Sequence, residues 1–264
     1  MPIDLAEDSQ APLDPFQAAM ASRDADVLTL VKEAVAAGRT RMAFQPIMLS
    51  TDRRMVAFYE GLIRVLDDTG RVIPAAKFMP VISETALGRE IDCMTLQHAF
   101  GLLKKRTDLR LSINVSARSL GDGKWRETLY RGLEADGNLS DRLIFEIAED
   151  SAMQLHEVMI RFMAEVQPRG VSFALDGFGA GQTAFRHLKD FFFDMVKIDK
   201  SFMRDIVTNP DNQVLAEALI MVAHQFEMFV VADGIENETD AQWMINMDVD
   251  CLQGYHLGVP KFSL

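Results

Sequence analysis

Short apolar runs alternate along this chain with stretches that carry a helical apolar stripe, and nearly every run stops on a side chain bearing an oxygen, an amine or a guanidinium group. The runs are RMAFQPIML, RMVAFYEGLIRV, RLSINVS, RLIFEIAE, VSFALDGF, DMVKID, FVVADGIE and a short closing segment before QGYHLGVP. The plainest helical stretches are EIDCMTLQHAFGLLKKR, KWRETLYRGLEAD, SAMQLHEVMIRFMAEV and NQVLAEALIMVAHQF, each with apolar residues at a 3.6-residue period. Strand–helix alternation with short connections calls for a parallel sheet covered by helices. About eight strands, the first two consecutive, predict closure into a single (β/α)8-type barrel with an extra early strand pairing.

A length of 264 residues suits one large barrel as well as two small domains, so the pattern decides. Residues 1 to 22 mix Asp, Glu, Pro, Ser and Ala without lasting periodicity and read as a mobile acidic leader. From Asp24 the segment VLTLVKEAVAAG has helical spacing and ends at Gly38, which places the barrel domain at 24–264. A net charge of −12, with no Lys/Arg run, repels a phosphate backbone and argues against a nucleic-acid partner. The acidic start MPIDLAEDSQ is unlike a basic secretory signal, and no apolar stretch approaches the length of a bilayer crossing, so we expect no membrane span and a cytoplasmic location. Cys93 and Cys251 are too few for a disulfide framework and read as buried thiols. Histidines 98, 156, 187, 224 and 256 are scattered and read as surface or packing residues, and the methionines as fillers of irregular core gaps. Of Phe191, Phe192 and Phe193, at least two rings are expected in the core. One is a candidate for a protein-partner or homodimer surface.

The polar strand ends are Glu60 and Arg64, Asn114, Glu146 and Glu149, Asp176, Lys197 and Asp199, Asp233 and Glu236, and Gln253. Singly, each reads as a salt-bridged or solvated strand end. Together they fall at the C-terminal ends of successive barrel strands, where this fold builds its sites. Carboxylates crowded on one rim repel one another unless a cation sits among them. Oxygen ligation from Glu60, Asn114, Glu146 and Asp176 suits magnesium, manganese or calcium better than zinc. Arg64 could then hold a phosphate, and Lys197 could serve as a counter-ion or assist proton transfer to or from a metal-bound water.

The residues also carry a family likeness. YEGLIR (Tyr59 to Arg64) resembles the signature strand of EAL domains, with Gly61 in place of the usual alanine. SINVS around Asn114, FEIAE from Phe145, LDGFGAG from Leu175, VKIDKSF from Val196, VADGIE from Val231 and QGYHLGVP from Gln253 follow in the family's order. The resemblance, over residues 24 to 262, implies a barrel that hydrolyses cyclic di-GMP to the linear dinucleotide with two divalent metals, magnesium or manganese. It assigns one metal to Glu60, Asn114, Glu146 and Asp176, a phosphate contact to Arg64, and water activation to Lys197. Gln253 becomes a site glutamine, and Glu149 the glutamate that steadies the loop after the Asp176 strand. The family holds its second metal with Asp176, the next residue of a DD pair and a glutamate on the seventh strand. Here those two positions are Gly177 and Asp233. The loop reads GFGAGQTAF where DFGTGYSS is common, and Ala148 replaces a frequent threonine.

Two-metal displacement needs one ion on the attacking oxygen and one on the leaving oxygen, so losing a site should cost rate more than binding. The expectation is an EAL-like protein that binds cyclic di-GMP as a receptor or regulator and hydrolyses it slowly or not at all. One alternative is a working phosphodiesterase in which Glu236 or water replaces the missing ligand. The other is a protein-interaction module without nucleotide binding.

Overall fold

The structure, a computed structural model, describes residues 15–83, 85–135, 137–181 and 185–264. Among these residues there are nine strands: β1 (Thr40–Leu49), β2 (Val56–Leu66), β3 (Val72–Ile73), β4 (Leu111–Asn114), β5 (Leu143–Ala148), β6 (Ser172–Phe178), β7 (Met195–Ile198), β8 (Phe229–Ala232) and β9 (Cys251–Leu252). Their order is β1-β9-β8-β7-β6-β5-β4-β2-β3, and pairing of β1 with β2 closes an eight-stranded barrel. From β2 through β4 to β9 the neighbours are parallel, as the strand–helix alternation requires. β1 runs antiparallel to both β2 and β9, which is the early pairing expected from two consecutive strands. β3 is a two-residue antiparallel extension of β2 outside the barrel, too short to leave a periodic signal.

The helices are α1 (Pro15–Ala36), α2 (Met79–Ile82), α3 (Ala86–Leu103), α4 (Gly123–Ala135), α5 (Glu149–Gln154), α6 (His156–Val166), α7 (Pro210–Gln225) and α8 (Glu238–Asn246). Local chemistry sets their starts. Asn209 accepts hydrogen bonds from the Asp211 and Asn212 amides ahead of Pro210, and Asn237 accepts from the Asp240 amide, both satisfying donors that a helix N-terminus leaves free. Two details depart from the sequence reading. α1 begins at Pro15, inside the span read as a leader, and the remaining leader residues lie outside the described ones. The stripe read as one helix from Ser151 divides into α5 and α6 at Leu155 (φ −112°, ψ 35°), whose side chain packs on the core. Between β6 and β7, where the sequence reading names no helix, the described residues of the crossover include a 3-10 segment, Phe185–Asp190. No helix among the described residues is long and apolar enough to cross a membrane.

Period-two alternation divides the barrel strands between two cores, while Val65 at the end of β2 and Ile73 of β3 join Val31, Val35, Ile82 and Ile91 in a separate cluster. Outward residues such as Ile113, Phe145, Phe173, Val196 and Val230 meet the helices in one large cluster. At its centre Trp125, Phe145, Phe162 and Phe173 pack with ring centroids 5.6 to 6.3 Å apart, each burial contributing about 1.5–3 kcal/mol. Inward residues Ile47, Phe58, Ile144, Ala174, Met195, Val231 and Cys251 plug the barrel. Phe191 and Phe193 are buried while Phe192 is 58% exposed, and both cysteines are buried thiols.

Candidate binding and metal site at the barrel mouth

The apolar plug fixes where the polar groups stand. Two residues beyond Phe58, Ile144, Ala174, Met195, Val231 and Cys251 come Glu60, Glu146, Asp176, Lys197, Asp233 and Gln253. A step of two returns a side chain to the same face, so these six form the next inward layer, at the C-terminal end of the parallel strands. Lys197 Nζ donates to Glu146 at 2.7 Å and to Glu60 at 3.3 Å, with Asp176 at 3.7 Å. Glu60 also accepts from Asn114 Nδ2 at 2.8 Å and from Gln253 Nε2 at 2.6 Å. Asn114 and Glu146 are register partners on β4 and β5.

Burial makes this cluster electrostatically tense. Glu146, Lys197 and Gln253 are 1%, 2% and 1% exposed. Desolvation, then the Glu60 charge, pushes the Glu146 carboxyl up to about 8. Burial raises Glu60 as well, but the Lys197 ammonium and the Gln253 and Asn114 hydrogen bonds outweigh it and leave the carboxyl below its ordinary value. Burial opposes the Lys197 charge, yet Glu146, Glu60, Asp176 and Asp233 together hold the amine protonated well above its usual range. Asp233 is raised by burial, against the pull of Lys197. Four carboxylates thus share one buried ammonium, and the Gln253 Oε1 atom is buried without a hydrogen-bond partner among the described residues. An all-oxygen group short of positive charge, with an unpartnered carbonyl oxygen buried beside it, fits a hard divalent cation.

The remaining site residues fall around this layer. Arg64 on β2 is half-buried, donates to the Ile63 carbonyl at 3.2 Å and feels the Glu60 charge, so its guanidinium keeps donors for a further acceptor. Glu149, buried at the start of α5, accepts the Gly181 amide at 3.1 Å and so grips the loop after β6. Asp199 and Glu236 instead line a neighbouring cavity of about 460 Å³. Two contributors escaped the sequence reading. Ser112, facing inward two residues before Asn114, donates to Glu146 at 2.5 Å, and the same period-two count would have found it. Asp92, buried on α3, accepts the Ser119 hydroxyl at 2.6 Å and the Ser116 amide at 3.0 Å, fixing the turn that follows Asn114. Desolvation raises that carboxyl to about 6.

The sequence profile of the EAL domain matches residues 30–260. The chain belongs to the EAL domain family. Among curated relatives, the signaling protein YkoW of Bacillus subtilis is 29% identical over 88% of this chain and 29% of its own. The Escherichia coli protein named cyclic di-GMP phosphodiesterase PdeF is 28% identical over 82% of this chain and 29% of its own. This EAL domain therefore spans under a third of the length of either relative. The FimX EAL domain from Pseudomonas aeruginosa, solved bound to c-di-GMP, superposes with a TM-score of 0.81 at 24% identity, over 90% of this chain and 97% of that one. That likeness establishes the EAL barrel fold.

Against the family pattern, Gly61 sits where a Cβ would meet the Met42 sulfur at 2.8 Å and the Ile113 and Leu111 methyls at 3.3 Å. Packing of those side chains has closed the space an alanine would use. Gly177 adopts φ +75° beside a register shift between Asp176 and Phe178, and a Cβ there would meet nothing within 4 Å. Glu149→Ala removes the carboxylate that holds the Gly181 amide. A hydrogen bond to a charged group contributes about 1.5–3 kcal/mol, so hydrogen exchange at Gly181 should accelerate by about 10-fold or more, readable by NMR.

Proposed function

We propose that this EAL domain binds cyclic di-GMP at the barrel mouth as a receptor, holds one divalent metal there and hydrolyses the ligand weakly. The observation that carries this reading is the contrast at the mouth. Glu60, Asn114, Glu146 and Asp176 converge around Lys197 within hydrogen-bonding or ion-pair reach, whereas Gly177 offers no ligand atom and Asp233 is one methylene shorter than the family glutamate. The converged oxygens are the set that would hold magnesium or manganese, and the ion would supply charge stabilisation for a phosphate oxygen. Arg64 offers a planar fork for the phosphate. Lys197 keeps its proton and orients Glu60 and Glu146, and Gln253 fixes Glu60 from the other side. Binding uses these groups, while rapid hydrolysis needs a second ion that Gly177 and Asp233 do not hold.

Relatives named as cyclic di-GMP phosphodiesterases and a solved EAL domain bound to c-di-GMP support the ligand. The bound state would be read by a protein partner or a second copy, for which the exposed Phe192 ring is one apolar contact among several on the surface.

Titration calorimetry with cyclic di-GMP in magnesium and in manganese, followed by chromatography of the products, tests both halves. Saturable binding with little linear dinucleotide is expected. Arg64→Ala should weaken binding by about 10- to 150-fold, the equivalent of about 1.5–3 kcal/mol for a charge-assisted contact. Absence of binding with or without metal would leave a protein-interaction role, and rapid turnover would make the domain a working phosphodiesterase.

A further inference from the structure

We propose that His156, His187 and Asp190 form a second cation site on the outside of the barrel, for zinc or a neighbouring late first-row divalent ion. The inference is independent of the function proposed for the mouth. His156 opens α6, while His187 and Asp190 lie three residues apart in the 3-10 segment Phe185–Asp190, a spacing that places both on one face of a three-residue turn. Their ligand atoms all lie within 4.8 Å of one another. Asp190 Oδ2 is 3.8 Å from His156 Nε2 and 4.0 Å from His187 Nδ1.

Zinc bonds of about 2.0–2.2 Å at tetrahedral angles put ligand atoms about 3.3–3.6 Å apart. Asp190 thus needs to close on each histidine by about 0.7 Å or less, and the widest pair by up to about 1.5 Å, within the reach of part-exposed side chains. The His156 ring is already placed, edge-on to Phe191 at 4.7 Å and to His187 at 4.8 Å between centroids. Its Nε2 atom is buried and has no hydrogen-bond partner among the described residues. A buried ring nitrogen without a partner is unusual in a folded protein, and here it lies 3.8 Å from the Asp190 carboxylate on a ring packed against a second imidazole.

Two imidazoles and one carboxylate select zinc over magnesium or calcium, the reverse of the all-oxygen mouth, and leave a fourth position for water. The sequence hid this site because 31 positions separate His156 from His187 and no metal-binding spacing joins them. Occupancy would tie the 3-10 segment to α6. Glu149 already grips Gly181 on the same crossover, so zinc would fasten the β6–β7 connection at a second point.

The test is calorimetry of the full chain, stripped with chelator, titrated with zinc in excess magnesium. One zinc equivalent should bind and raise Tm, since an ion that binds only the folded state stabilises it. His187→Ala and His156→Gln should each weaken that binding by about 100-fold or more, because losing a ligand costs at least as much as losing a supporting partner, about 10- to 100-fold. Both should abolish the Tm shift, whereas Asp176→Asn at the mouth should leave both readings unchanged. Imidazole resonances of His156 and His187 should move on zinc addition in the parent protein. No zinc binding by the parent, or the same affinity in both histidine variants, would overturn the site.

Discussion

Gly177→Asp combined with Asp233→Glu is expected to raise cyclic di-GMP hydrolysis by several orders of magnitude over the parent, measured as linear dinucleotide formed in magnesium or manganese. The pair restores a carboxylate after Asp176 and the missing methylene at position 233, the residue that follows β8. The local geometry allows the first change, because a Cβ at position 177 meets nothing within 4 Å. The backbone resists it, since φ is +75° and left-handed geometry costs a residue with a side chain about 1–2 kcal/mol, although aspartate tolerates it better than most. Gly177→Asp alone should therefore lower stability slightly and gain little rate, and Asp233→Glu alone should gain little. Two ions act as a unit on the attacking and leaving oxygens, so a site short of one ligand benefits little from the other. Fast hydrolysis by the unmodified chain would mean the second ion is held another way. No gain in the double variant would shift the cause to the altered loop at Ala180 and Gln182, the latter outside the described residues.

The barrel was legible because its two periodicities are clean. Phe58 and Glu60, Ile144 and Glu146, Met195 and Lys197 each step by two, so one count gives both the plug and the polar layer above it. The same count would have found Ser112, passed over because a serine in an apolar run carries little signal by itself. Helix boundaries were less readable. Nothing in SAMQLHEVMIRFMAEV interrupts the apolar stripe, so the break at Leu155 comes from tertiary packing rather than from a breaker residue. Asp92 was hidden among apolar residues of α3, and its meaning comes from Ser116 and Ser119 on the turn after β4. Contacts between distant segments, like that between His156 and His187, leave no trace in a linear pattern.

Lys197→Met should destabilise the fold by about 3–5 kcal/mol near pH 8 in the presence of EDTA, the usual cost of leaving a buried charge without its partner. Methionine fills much of the same volume, so the loss reports charge more than packing. The pH dependence separates the two causes. In the parent, the Glu146 carboxyl stands at about 8 against an ordinary 4.5, raised first by burial and then by Glu60, with Lys197 pulling it down. Removing the ammonium deletes that downward pull on Glu146 and one of the influences that keeps Glu60 low. Between the unfolded value near 4.5 and the raised folded value, the folded chain keeps a proton that the unfolded chain releases. Stability from this group therefore falls as pH rises through that window, and the variant should fall more steeply than the parent. Lys197 itself is raised above 10.5 in the parent, so its contribution is present across the whole window and is lost only at higher pH. Urea midpoints at pH 5 and pH 8 should show the gap between variant and parent widening with pH. Added magnesium should narrow it at pH 8, because an ion among Glu60, Glu146 and Asp176 replaces the lost charge. A gap of equal size at both pH values would assign the loss to packing and would remove the electrostatic argument for a cation at the mouth.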